Sequence, residues 1–266
     1  MAKDSKKGDQ GFIETVAKSQ VWTSIFRTGI PDTRRKRMMG VLNNVFLHLH
    51  PVRLPKHAVK VKYTWCMGGL SFFLFLVLTV TGILLMFYYR PTVEYAYTDI
   101  IDLGEQVPLG IMREIHRWGA HLMVITVWLH MFRVFMTGSY KPPREFNWVV
   151  GVILLTLTLL LSFTGYLLPW DQLAIWAVTV GTNMARATPF LGHEGPGAAL
   201  LSLGDINFVH SGSDVRFALL GGRFVGEGAL LRFYVLHCIG LPFIIMIFMA
   251  VHFWRVRKDG GISGPV

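Results

Sequence analysis

The chain has 266 residues, enough for one domain or two; 52% of them are hydrophobic and only 16% charged, which points to a membrane protein. The net charge of +10 rests on basic residues clustered toward the ends of the chain, which argues for membrane orientation and against nucleic-acid binding. Two cysteines, Cys66 and Cys238, exclude a disulfide framework.

Residues 1–62 form a basic arm that holds half of the Lys and Arg, including the run Arg34-Arg35-Lys36-Arg37. The opening MAKDSKKGDQ is polar, has no apolar core after it and does not read as a signal peptide. Gly11 to Phe26 can form an amphipathic helix at the membrane interface and Met38 to His48 a second short helix; the alternative for both is a solvated, partly ordered tail. Apolar spans follow at about Tyr63–Tyr88, Glu114–Met136, Trp148–Leu168 and Leu230–Trp254. They divide the chain into the arm, a four-helix membrane domain over 63–258 with a long loop at 169–229, and a short tail at 259–266. The predicted fold is an all-α membrane protein, a four-transmembrane-helix bundle with interfacial amphipathic helices at its N-terminal end.

The loop after the first span carries Glu94, Asp99, Asp102 and Glu105, whereas the loop after the second is short and basic, with Lys141 and Arg144. Arg255, Arg257 and Lys258 follow the fourth span. The basic segments therefore share one side, which the positive-inside rule makes cytoplasmic, or stromal in a plastid. Both termini are expected there, with the acidic loop and the long loop on the opposite, outer side.

The second span carries His116 and His130, fourteen residues apart, and the fourth carries His237 and His252, fifteen apart. Fourteen residues of helix rise about 21 Å and fall about 40° short of four turns; fifteen overshoot by about 60°. Each helix thus presents an upper and a lower imidazole on roughly one side. Since both helices enter from the outer side, His116 pairs with His237 and His130 with His252. Bis-histidine is the ligation of a low-spin electron-transfer haem; zinc or copper would not explain two imidazole-only sites about 20 Å apart. Gly68 and Gly82 in the first span, and Gly151 and Gly165 in the third, repeat the fourteen-residue spacing and would let a flat macrocycle approach the helix. A lone intramembrane His can instead hydrogen-bond a neighbouring helix, and glycines also serve close helix packing. His121 reads as packing or pathway, and His48, His50, His57, His193 and His210 have no metal-ligand spacing.

The stretches TGILLMFYYRPT, IHRWGAHLMV, LHMFRVFMTGSYKPPREFNW, TGYLLPWDQ, LLRFYVLH and RKDGGISGP, over about three quarters of the chain, closely resemble cytochrome b6, the four-helix subunit of cytochrome b6f complexes. The resemblance implies two stacked b haems, the outer one held by His116 and His237 and the inner one by His130 and His252. It also implies a c-type haem attached through Cys66 by one thioether bond; without the resemblance, Cys66 reads as a small buried apolar residue. Cys238 is expected to be packing. Haem propionates call for cations near each face: Arg113 and Arg117 outside, Arg133, Arg144, Arg257 and Lys258 inside, with Arg117 and Arg257 favoured for propionate or quinone contacts and lipid head groups as the competing role.

The implied protein is an electron-transfer subunit of a proton-translocating quinol:cytochrome c or plastocyanin oxidoreductase. Its implied partners are quinone, a companion membrane subunit completing the quinol site, a Rieske iron–sulfur protein, a c-type cytochrome and lipid, in a homodimeric complex in a bacterial inner membrane or a thylakoid. The chain departs from the resemblance in its long basic arm and in an expanded outer loop, where a short helix is expected around Trp176 to Ala187. A dihaem membrane anchor of a hydrogenase or formate dehydrogenase is the alternative, which the paired spacings and PWDQ argue against. A non-redox helical bundle is the third reading.

Overall fold

The computed structural model describes residues 15, 16, 18, 32–43, 56, 60–106, 108–203 and 206–262. The helix expected over 11–26 lies almost wholly outside the described residues, as do His48, His50 and His57. In chain order the helices are α1 (Arg34–Asn43), α2 (Val61–Thr64), α3 (Met67–Met86), α4 (Ala96–Glu105), α5 (Leu109–Met136), α6 (Glu145–Leu167), α7 (Gln172–Ala185), α8 (Val215–Leu220), α9 (Glu227–Val235) and α10 (Leu241–Asp259). A small antiparallel hairpin of β1 (Ser202–Leu203) and β2 (Ile206–Asn207) lies between α7 and α8. Helices α3, α5, α6 and the continuous run α9–α10 are long and apolar enough to cross a membrane. The four expected spans are thus present, each with shifted ends.

The chain divides into two compact units, one made of Met1–Trp65, Val134–Trp148 and Ala250–Val266, the other of Cys66–Arg133 and Val149–Met249. In the larger unit all four spans share one core. Phe75 of α3, Leu157 of α6 and Leu241 and Ile245 of α10 are buried together, with Met123 of α5 packed against them. Ser71 Oγ donates to Thr126 Oγ1 at 3.2 Å, a buried polar tie between α3 and α5. A second core closes the end where α3 and α6 stop, built from Tyr89, Leu167, Trp170, Ala174, Val178, Leu220, Leu230 and Phe233. Phe73, Val80, Trp128, Val149, Phe243 and Ile247 stand exposed on the long helices. So much apolar surface on one molecule fits contact with lipid, not water.

The smaller unit ties the chain's last described residues to the loop after α5. Tyr63 Oη and Ser139 Oγ donate to the Ile262 carbonyl, and Arg144 Nη1 donates to the Gly261 carbonyl at 3.0 Å. Arg255 pairs with Asp259 at 2.5 Å and lies over the Phe146 ring.

Two departures from regular helix matter for function. Between α9 and α10, residues Leu236–Gly240 form a π-type turn. Such a turn bonds i to i+5 and accommodates one extra residue, so helix beyond it runs about one residue behind an ideal α-helix. That is the excess which makes the fifteen-residue gap between His237 and His252 overshoot in plain α-helix geometry. The second departure precedes α3. Trp65 and Cys66 both have left-handed backbones, φ 55° and 51°, a conformation that non-glycine residues adopt only at a cost. The expected first span, drawn as continuous from Tyr63, is therefore broken, and α3 begins at Met67.

The turn after α3 is held by Asp99, which is buried. It takes the Arg90 backbone N–H at 2.8 Å, Arg90 Nε at 3.1 Å and Arg90 Nη2 at 2.5 Å. The Arg90 guanidinium holds the Asp99 carboxyl below its usual pKa, so the pair contributes stability above the normal carboxylate range and loses it as pH falls through the lowered value. Asp99→Asn should cost about 1–3 kcal/mol at neutral pH, read as a lower unfolding temperature in detergent. The difference from wild type should shrink on acidification; a constant difference at every pH would show that the charge is not the cause.

Candidate functional site

His116 projects from α5 and His237 from the π-type turn, and their ring centres lie 6.2 Å apart with planes at 73°. Each ring is fixed through Nδ1. His237 Nδ1 lies 3.1 Å from the Leu161 carbonyl and 3.2 Å from Thr164 Oγ1. His116 Nδ1 lies 2.9 Å from Thr81 Oγ1. Both hydroxyls already donate their single proton along their own helix, Thr81 to the Val77 carbonyl at 2.8 Å and Thr164 to the Leu160 carbonyl at 2.9 Å. Toward the imidazole they can only accept. The network therefore assigns the proton to Nδ1 and leaves Nε2 with its lone pair, the state a metal-ligating histidine needs.

Two helices supply these acceptors through the same local sequence. Leu78, Thr81 and Gly82 on α3 correspond in spacing to Leu161, Thr164 and Gly165 on α6. A helical side chain leans back over the turn before it, so a missing side chain at the glycine opens the carbonyl four residues earlier. A Cβ at Gly82 would lie 3.1 Å from His116 Cε1, and one at Gly165 would lie 2.6 Å from His237 Cε1. Gly68 serves His130 likewise, with Cε1 at 3.2 Å from a built Cβ. The glycine spacing predicts room for a macrocycle edge; at these three positions the space is taken by an imidazole. A Cβ at Gly151 would meet no described atom within 4 Å.

The donor set limits what can be held. Among the described residues no three His, Cys, Asp or Glu side chains gather into a metal site, so a bare ion needing four protein ligands is not served. A metal–imidazole bond of about 2 Å puts two rings sharing one metal about 6 Å apart centre to centre, which the 6.2 Å separation matches. Two axial imidazoles suit an iron whose remaining ligands come from a porphyrin.

Comparison with known proteins settles the family. The family described as cytochrome b/b6/petB matches residues 53–195, and its N-terminal cytochrome b/b6/petB counterpart matches 206–265. The chain belongs to the cytochrome b/b6 family. Cytochrome b6 of Porphyra purpurea is 42% identical over 214 residues, covering 80% of this chain and 88% of that protein. Cytochrome b6 of Synechococcus elongatus is 40% identical with the same coverage. Among solved structures, a chain of a hyperthermophilic respiratory Complex III matches with a TM-score of 0.60 and 28% identity, over 76% of this chain and 49% of that one. The chain thus spans about half the length of that Complex III chain.

Other residues of interest fall into place around this frame. His130 lies on α5 in the larger unit. His252 lies on α10 in the smaller unit, its ring 6.3 Å from that of Phe253. Cys66 is exposed at the start of α3, unlike a packing cysteine, whereas Cys238 is partly buried beside His237. Arg113 and Arg117 both reach Glu114, at 3.2 and 2.7 Å. Arg133 lies in the last turn of α5, and Arg257 and Lys258 in the last turn of α10, where Lys258 Nζ stands over the Trp254 ring at 5.4 Å. His121 packs edge-on against Trp118.

Two details go beyond what the sequence shows, the start of one expected helix and the partner of His193. The helix expected around Trp176–Ala187 spans Gln172–Ala185, because Asp171 caps it by accepting from the Ala174 N–H at 2.8 Å; the Asp of PWDQ is the signal that could have placed its start. His193, which has no metal-ligand spacing in the sequence, forms a short 2.5 Å hydrogen bond with Asp214.

Glycine substitution tests the cradle. Gly165→Ala should displace His237 and cost about 1–3 kcal/mol by overpacking. Gly69→Ala, where a Cβ meets nothing within 4 Å, should be neutral or gain up to about 1 kcal/mol from helix propensity. Unfolding in detergent compares the two; equal effects would remove the steric argument.

Proposed function

We propose that this cytochrome b/b6 chain carries electrons across the membrane within a quinol:cytochrome c or plastocyanin oxidoreductase. It does so through two bis-histidine b haems, His116 with His237 and His130 with His252, and a third haem attached through Cys66 by one thioether bond. The observation that carries the reading is the His116–His237 pair: ring centres 6.2 Å apart and both Nδ1 atoms engaged by Thr or backbone acceptors. The iron porphyrins, when bound, supply the one-electron redox chemistry. The chain's residues do the rest. The His Nε2 atoms would ligate the haem irons, the apolar bundle excludes water, and Gly68, Gly82 and Gly165 let the rings sit close to the helix, Gly151 being the fourth position of that pattern.

Charge near each face balances the haem propionates or contacts quinone. Arg113 and Arg117 serve the outer side, where an anionic group would compete with Glu114 for them. Arg133, Arg144, Arg257 and Lys258 serve the inner side. The basic segments orient both termini inward, in a bacterial inner membrane or a thylakoid. Quinol oxidation at the outer face, completed by the companion subunit, would send one electron to a Rieske protein and on to a c-type cytochrome, and the other through the two b haems to an inner quinone site near Cys66. Protons are released on the outer side and taken up on the inner side, in a dimeric complex embedded in lipid.

Optical redox titration of the purified complex tests the ligand assignment. Wild type should show two b components and His237→Ala one; two intact components in the variant would refute the pairing. Haem staining of a denaturing gel tests Cys66: covalent haem in wild type should vanish in Cys66→Ala, and its persistence would place the attachment elsewhere.

A further inference from the structure

The residue before each outer cradle glycine is a threonine, Thr81 before Gly82 and Thr164 before Gly165. Both are buried, at 5% and 3% exposure, where no water can replace them as partners. Both hydroxyls touch the Nδ1 of the histidine that the neighbouring glycine admits, Thr81 to His116 and Thr164 to His237. Both spend their own proton on the carbonyl four residues back, so both present a lone pair to the ring. At the inner cradle positions the corresponding residues are Met67 before Gly68 and Val150 before Gly151, neither of which has a hydroxyl.

We infer that Thr81 and Thr164 are paired positioning residues that fix the outer histidines with Nε2 toward the iron and tune the potential of the outer haem alone. The inference rests on the haem assignment proposed above and extends it from the ligands to the residues behind them. An acceptor on Nδ1–H increases the basicity of the ring and its donation to the metal. A more strongly donating axial ligand favours the oxidised iron, since ligand identity and outer hydrogen bonds are among the protein's levers on potential. Removing the hydroxyl leaves His237 with the Leu161 carbonyl as its acceptor and takes from His116 the acceptor that Thr81 supplies, so each ligand donates less and the outer haem becomes easier to reduce.

The test uses the intact complex with Thr81→Val, Thr164→Val, the double variant, and Thr81→Ser and Thr164→Ser. Haem content is measured first, then each b component is titrated optically. The valine variants should retain two b haems. One component should move to more positive potential, with a several-fold higher reduced-to-oxidised ratio at a fixed potential, while the other stays in place. The double variant should shift further, and both serine variants should match wild type. Loss of the outer haem in a valine variant with retention in its serine counterpart also supports the positioning role. Unmoved midpoints in haem-replete valine variants would overturn the inference, as would a shift shared equally by both components or serine variants that behave like valine. Absence of b haem from the wild-type complex is a different result and would defeat the haem assignment itself.

Discussion

An imidazole placed inside an apolar bundle has two nitrogens to satisfy and no water with which to do it. A buried polar atom left without a partner costs about 1–3 kcal/mol, and the hydrocarbon region offers no solvent as a substitute. His116 and His237 resolve half of this demand through the protein. A helix carbonyl retains a second lone pair after making its intrahelical bond, but neighbouring side chains normally cover it. Gly165 uncovers the Leu161 carbonyl for His237, Gly82 leaves room for the His116 ring, and the preceding threonines each add an acceptor. One nitrogen on each ring is thereby committed, and the chemistry of the pair falls on the two Nε2 atoms. The positions of glycine, threonine and histidine form one constraint, since removing the glycine closes the carbonyl that sets the tautomer.

The rest of the larger unit serves to keep that arrangement in register. The spans meet through a modest central core and leave much of their apolar surface outward. In water this would be a poor balance. In lipid, where outward apolar surface carries no penalty, helix association depends on close packing and a few interhelical hydrogen bonds, of which Ser71–Thr126 is one. The second core, with Trp170 and Leu167 packed against residues of α7, α8 and α9, caps the bundle at the end near His116 and His237. Tyr89 Oη, donating to the Leu168 carbonyl at 2.6 Å, ties the end of the first span to that of the third.

How much of this is legible in the sequence depends on whether a feature is periodic. The spans, the histidine pairs and the matched glycines repeat at helical spacing, so a straight-helix calculation finds them. That calculation cannot find interruptions. The π-type turn at Leu236–Gly240 has no residue signature of its own; its trace in the sequence is the fifteen-residue gap, which looks like a poor phase match until the turn takes up the extra residue. The left-handed pair Trp65–Cys66 is likewise invisible, because neither residue favours that backbone. Periodicity also identifies the glycines without saying what they admit, and the threonines beside them pass for ordinary helix residues until the ring nitrogens are located.

The long loop between α7 and α9 is closed at its neck by contacts of its own. The two family matches leave 196–205 uncovered, and that stretch lies between ends that are clamped together. The Val215 N–H donates to the Leu191 carbonyl at 2.9 Å, and His193 bonds Asp214 across the same neck. Asp214 also caps α8 by accepting from the Phe217 N–H at 2.8 Å. Burial opposes charge on its carboxyl, but the Phe217 amide and His193 outweigh this and hold its pKa below the usual carboxylate value. With the neck closed, added loop length is paid only in closure entropy, which grows slowly with residue number. The segment carrying β1 and β2 can therefore vary while Leu220, Leu230 and Phe233 keep their places in the core.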